Sequence, residues 1–254
     1  MLNEDLLRKA MREAEVPDAP VYYHEVIDST NSAAMALARE GAPEWTLVAA
    51  GHQTAGRGRL GRGWTSVPGS ALLFSFVLRP RIEPERAAIL TLLAGVAMAS
   101  ACQDKGQPVL CKWPNDLLLG EKKIGGILAE ASVAAARLDA VVIGVGVNLG
   151  DPPPDVSSAS GLRGVNDTEL LTAFLAEFWH PYHYWPARKF LGRVVRDYRR
   201  TCVTLGRPVR ARTTGGSLIE GVAEGLDDLG NLLVRTGEGL ERVAFGEVEH
   251  LRDG

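Results

Sequence analysis

Residues 87–102, AAILTLLAGVAMASAC, contain no charged side chain. A helix that is apolar on every face belongs inside a fold or inside a membrane. This run is shorter than the ~20 residues a bilayer span needs, and Thr91, Gly95 and Ser100 interrupt it. It is read as a buried core helix, extending from about residue 84 to residue 105. The rest of the composition agrees with a globular chain: 46% apolar and 23% charged residues among 254. Lys and Arg number 28 against 31 Asp and Glu, a net charge of −3. That balance weighs against a protein whose main task is coating nucleic acid or an anionic membrane. The three cysteines, Cys102, Cys111 and Cys202, show no C-x-x-C spacing. They give no disulfide framework or zinc ribbon, and a cytoplasmic setting fits them. The first residues, MLNEDLLRKA, lack the continuous apolar stretch of a secretory signal.

Periodicity and turn residues divide the chain. A short amphipathic helix over residues 2–14 is followed by a strand over Val21–Ile27. Asp28-Ser-Thr-Asn31 suits a helix cap, and the helix over residues 31–39 stops at Gly41. Strands are expected at residues 46–50, Ala71–Leu78, 109–113, Asp116–Leu119, 123–130 and 139–147. Residues 150–158 make a Pro-rich surface loop, and helices follow at residues 168–179 and Arg188–Thr201. After Gly206, short strand-like runs alternate with Gly and Asp turns. Residues 205–254 therefore read as a small, barrel-like all-β domain behind a larger domain over residues 1–204.

Two segments concentrate chemistry. In Gly56-Arg-Gly-Arg-Leu-Gly-Arg-Gly-Trp64, three arginines sit among four glycines after a strand. Glycine lets backbone approach a ligand, and arginine offers a planar, permanently charged fork for phosphate or carboxylate. Trp64 adds a flat face for a base. Neither a Walker A loop nor a Rossmann fingerprint is present. A solvated basic loop or a nucleic-acid contact would share this composition. In Lys112-Trp-Pro-Asn-Asp116, Pro114 breaks the strand and holds an amide and a carboxylate at a turn. That set suits phosphate with Mg²⁺, though a plain turn with Trp113 in the core also accounts for it. Lys123-Ile-Gly-Gly126 and Gly144-Val-Gly-Val-Asn148 are strand segments whose glycines permit close approach. Cations recur at strand ends throughout this region, which points to one anionic ligand.

Together these segments resemble biotin–protein ligases. Asp28-Ser-Thr-Asn31, Gln53 before Gly56-Arg-Gly-Arg59, Lys112-Trp-Pro-Asn-Asp116, Lys123-Ile-Gly-Gly126 and Gly144-Val-Gly-Val-Asn148 occur in the family's order. The resemblance implies an α/β (α+β) catalytic domain like that of class II aminoacyl-tRNA synthetases, with a mixed sheet, and an SH3-like C-terminal β-barrel. It implies that biotin and ATP form biotinyl-5′-AMP, from which biotin passes to a lysine of a biotin carboxyl carrier protein or domain. Lys123, Arg57 and Arg59 would be catalytic. Ser29, Thr30, Asn31, Gln53, Gly56, Arg57, Gly58, Arg59, Lys123, Gly126 and Gly144 would bind biotin. Arg57, Arg59, Arg62, Trp64, Lys112, Asn115, Lys123, Gly146 and Asn148 would bind the nucleotide, and Asp116 would help hold Mg²⁺. The glycine–arginine loop would close over the intermediate to exclude water.

The chain departs from the family pattern at Leu60, where many relatives carry another arginine. Only about twenty residues precede the first strand, too few for a helix-turn-helix domain. A ligase without operator binding is expected, engaging neither DNA nor a membrane, with a homodimer allowed. Ligation of lipoate or octanoate on the same fold is the alternative, and a nucleic-acid-binding module is the alternative from another class. His180 and His183 in Trp179-His-Pro-Tyr-His-Tyr-Trp185 have loosely metal-like spacing, but an aromatic packing cluster explains them better.

Overall fold

The computed structural model describes residues 2–134, 137–152, 159–183, 188–213, 215–244 and 246–251 of the chain. Strands β1 (Val21–Ile27), β2 (Leu47–Gln53), β3 (Ala71–Leu78), β4 (Val109–Lys112), β5 (Asp116–Leu119), β6 (Lys122–Ala134) and β7 (Arg137–Asn148) form one seven-stranded sheet, ordered β1-β2-β3-β7-β6-β5-β4. Only β1 and β2 run parallel; the other neighbours are antiparallel. The central strands β3 and β7 are nearly continuous apolar runs, as burial on both faces requires.

Alternate residues of these strands face two different covers. Leu47, Ala49, Phe74, Phe76, Val141 and Ile143 belong to the main core. That core also takes in α1 (Glu4–Glu13), α3 (Ile89–Asp104), α4 (Asp167–His183) and α5 (Arg188–Thr201). Val48, Val77 and Val142 point the other way, against Ala34, Met35 and Ala38 of α2 (Thr30–Arg39). A single ten-residue helix does not cover a seven-stranded sheet, so that face stays open beyond the N-terminus of α2. The site lies there.

Pro84–Asp104 has the length and hydropathy of a membrane span, but its faces are covered by the sheet, α4 and α5. It begins with a 3₁₀ turn, Pro84–Arg86, and α3 proper starts at Ile89. The strands expected at residues 123–130 and 139–147 are longer than their apolar cores and form one long hairpin, β6–β7. Helix α4 runs through Pro181 and carries His180 and His183 in its last turn. There the Trp179 and His183 rings lie 4.7 Å apart, in a cluster centred on Trp45, Phe178 and Tyr182.

Strands β8 (Pro208–Arg212), β9 (Leu218–Leu226), β10 (Leu232–Arg235), β11 (Leu240–Val243) and β12 (Glu247–His250) form an antiparallel sheet ordered β11-β10-β9-β8-β12. Sequence reading did not find β12. The apolar face of this sheet, including Val209, Ala211 and Leu232, merges with the main core. Trp113 joins the two sheets. Its backbone N–H donates to Thr204 Oγ1 and its indole N–H to the Gly230 carbonyl, both at 3.0 Å.

Candidate active site

A cavity of about 460 Å³ opens between the uncovered face of the large sheet and the small sheet. One end is neutral and tightly wired. Ser29 caps α2, accepting from the Ser32 N–H at 3.4 Å. The Thr30 N–H and hydroxyl both donate to Gln53 Oε1, at 2.7 and 3.0 Å. Ser75 Oγ, in the middle of β3, lies 2.8 Å from Thr30 Oγ1 and donates to Asn31 Oδ1 at 2.6 Å. Asn31 Nδ2 in turn donates to Glu130 Oε2 at 2.9 Å and to the Leu128 carbonyl at 3.3 Å. Ser29, Thr30 and Asn31 are buried yet line the cavity, so capping and ligand-facing roles coincide.

The glycines of β7 share this face, and they make room for the chain's own side chains. A Cβ at Gly144 would lie 1.8 Å from Asn31 Oδ1, and one at Gly146 would lie 2.8 Å from Trp64 Cε2. Trp64 thus rests on Gly146, its indole N–H buried without an acceptor among the described residues. A Cβ at Gly126 would stand 3.5 Å from Lys123 Nζ.

The other end is cationic. Lys123 Nζ pairs with Asp116 Oδ1 at 2.5 Å across the β5–β6 hairpin. The glycine–arginine loop closes on itself through Gly58 N–H to Arg62 O at 2.7 Å and Trp64 N–H to Gly56 O at 2.8 Å. Its arginines reach outward in three directions. Arg57 pairs with Glu130 at 2.7 Å, Arg62 pairs with Glu247, and Arg59 donates to the Gly246 carbonyl at 3.2 Å and to Asn115 Oδ1 at 3.5 Å. Burial lowers the Arg59 pKa, and the nearby Asp116 and Glu247 carboxylates oppose that shift. The Trp113–Pro114 peptide is cis, and the turn it belongs to is stitched to β6 by Asn115 Nδ2 to Ile127 O at 2.8 Å. Lys112 and Arg212 also line the cavity, and neither has an ion pair among the described residues.

Residues 23–148 match the model described as the Biotin/lipoate A/B protein ligase family, and residues 204–251 match the Biotin protein ligase C terminal domain. Over 260 aligned positions the chain is 34% identical to the bifunctional ligase/repressor BirA of Bacillus subtilis, covering 98% of this chain and 79% of that protein. The chain belongs to the biotin protein ligase family. It is also similar to the biotin--[acetyl-CoA-carboxylase] ligase of Mycobacterium tuberculosis, at 33% identity over 88% of this chain and 86% of that protein. Among solved structures, the biotin protein ligase from Aquifex aeolicus in complex with biotin and ATP superimposes with a TM-score of 0.76 at 27% identity. That match covers 91% of this chain and 99% of the Aquifex chain.

The cavity wall of this family member includes most of the residues expected from sequence: Ser29, Thr30, Asn31, Gln53, Gly126 and Gly144 on one side, and the loop, Lys112, Asn115, Asp116 and Lys123 on the other. Two expected residues stand outside it. Gly56 forms the neck of the loop, where a Cβ would meet the Trp64 carbonyl at 2.5 Å. Asn148 is buried and donates to the Ser160 carbonyl at 3.1 Å. Asp116 does not form a metal cage. It is engaged by Lys123, and no group of three His, Cys, Asp or Glu side chains among the described residues could hold an ion. Burial pushes the Cys111 thiol up to about 12, which removes it as a nucleophile.

Sequence reasoning missed Ser75, Glu130, Glu247 and Arg212. Two carried a readable signal. Ser75 is the lone polar residue in the strand ALLFSFVL. Glu130 continues the period-two series from Gly126 and Leu128, which the register puts opposite Gly146, Gly144 and Val142.

Proposed function

We propose that this cavity carries out both half-reactions of a biotin–protein ligase. The observation that carries the reading is a single cavity with a neutral hydrogen-bonding end at α2 and a cationic end at Lys112, Lys123, Arg59 and Arg212. The neutral end suits the ureido ring of biotin. Thr30 occupies the Gln53 amide oxygen, which leaves the Gln53 NH₂ as a donor.

In the first step a biotin carboxylate oxygen attacks the α-phosphorus of ATP, forming the mixed anhydride biotinyl-5′-AMP and releasing pyrophosphate. Two unit charges ~4 Å apart repel by about 4 kcal/mol at an effective dielectric near 20. Lys123 and Arg59 offset that repulsion by holding charge where it builds up on the transferring phosphoryl group. Mg²⁺ enters as the substrate complex of ATP rather than as a resident ion. Trp64, which lines the cavity, is assigned to the adenine side. In the second step the neutral amine of a carrier lysine attacks the acyl carbon, an amide forms and AMP leaves. The partner is a carrier domain of a biotin-dependent carboxylase, a reading supported by the similarity to the Mycobacterium biotin--[acetyl-CoA-carboxylase] ligase. Cytoplasmic placement is proposed on the three reduced, buried thiols.

The test is incubation with biotin, ATP and Mg²⁺, followed by mass detection of biotinyl-AMP. Pyrophosphate exchange is then compared with biotin and with lipoate. Exchange driven by lipoate and not by biotin would overturn the substrate assignment.

A further inference from the structure

The glycine–arginine loop was expected to deliver all its guanidinium groups to the ligand. Arg57 lines the main cavity, yet its guanidinium is tied to a carboxylate of β6. Its Nη2 sits 2.7 Å from Glu130 Oε2, and the same oxygen accepts the Asn31 amide at 2.9 Å. Glu130 is absent from the wall of the main cavity and belongs to a smaller one of about 380 Å³ under residues 57–62. The other tethers of the loop, through Arg59 and Arg62, run to Asn115 and to the start of β12. Among the described residues, the Arg57–Glu130 pair is the ion pair that ties the loop to β6.

We propose that Glu130 is a positioning residue for the ligase reaction. It holds the Arg57 guanidinium as the anchor of the loop, while Arg59 stands at the cationic end of the cavity. One carboxylate oxygen also gathers Asn31, so the loop and the N-terminus of α2 share a fixed point. Through Asn31, Ser75 and Thr30 that point is hydrogen-bonded on to Gln53, at the neutral end of the cavity. The proposal rests on the ligase reading for its kinetic arm, whereas its proteolysis arm is independent of that reading.

The experiment uses the full chain with Glu130→Gln, Arg57→Gln, the double variant and Arg57→Lys. Glutamine at 130 keeps an oxygen for Asn31 and removes only the charge. Trypsin nicking after Arg59 and Arg62 is followed by mass without substrates, and pyrophosphate exchange gives KM and kcat. Loss of a partly exposed ion pair is expected to speed nicking about three- to five-fold in either single variant. The double variant should be no faster than the singles, and Arg57→Lys should restore slow nicking. In exchange, the two single variants should raise the biotin KM alike, within about twofold of each other. Nicking unchanged in both singles would overturn the proposal. So would an Arg57→Gln penalty on KM about tenfold beyond that of Glu130→Gln, multiplying with it in the double, because Arg57 would then touch substrate. Absence of exchange even in the parent chain would sink the ligase reading and leave the nicking result standing.

Discussion

Replacing Gly144 by alanine tests how the sheet face is used. The new methyl would sit 1.8 Å from Asn31 Oδ1 and 2.7 Å from its Cγ, inside any van der Waals contact. Asn31 would have to swing away from β7. It would give up the bond from Ser75 at 2.6 Å and its own to Glu130 at 2.9 Å and Leu128 at 3.3 Å. Net hydrogen bonds contribute about 1 kcal/mol each, and a buried polar group left without a partner costs about 1–3 kcal/mol. A loss of about 3–4 kcal/mol follows, or about 6–16 °C in melting temperature for a chain of this size. Thermal unfolding followed by circular dichroism measures it. Asn31→Ala removes the colliding atom, so Gly144→Ala should cost far less in that background than alone. A melting point for Gly144→Ala within about 2 °C of the parent would refute the steric argument. Strict additivity of the two substitutions would do the same.

Two further outcomes are expected. Arg212→Gln should raise the KM for ATP about tenfold in pyrophosphate exchange, as loss of one charge-assisted contact does, with the biotin KM unmoved; equal ATP KM values would remove β8 from the polyphosphate site. Burial, with Lys112 and Arg207 nearby, lowers the His250 pKa to about 4. An unfolded histidine near 6.5 therefore binds its proton first as pH falls. The stabilisation is intact above about pH 6.5 and is lost toward pH 4, so the urea midpoint should drop between pH 7.5 and 5 less steeply in His250→Gln than in the parent. Parallel drops would exclude this histidine.

The parts of this molecule that were readable in sequence are those set by local rules. The charge-free run over residues 87–102 is short for a bilayer span and was read as core. The Gly and Arg pattern of residues 56–64 and the breaker Pro114 announced their loops. What stayed hidden depended on register. Nothing near Arg57 in sequence points to Glu130, 73 positions away; the pair exists because β6 and β7 align Leu128 with Gly144 and Glu130 with Val142. Strand β12 escaped because EVEH alternates charge with a single valine and gains its partner, β8, only after the small sheet forms. The ion pair between Asp116 and Lys123 was equally hidden, since only the β5–β6 hairpin brings the two together. Gly144 and Gly146 were read as sites of close approach by a ligand or backbone, and the groups seen to approach them are the side chains of Asn31 and Trp64.

The pairing of Lys123 and Arg62 with Asp116 and Glu247, and the hold of Gly246 and Asn115 on Arg59, bear on which solutes can enter. A small solute such as acetate or inorganic phosphate must compete with carboxylates already held in place, one contact at a time, and gains little by exchanging one anion for another. A molecule long enough to engage several of these positions together recovers the cost of displacing them in a single event. Discrimination of that kind comes from reach and spacing, so millimolar levels of ordinary cellular anions should leave the pocket available to its substrates.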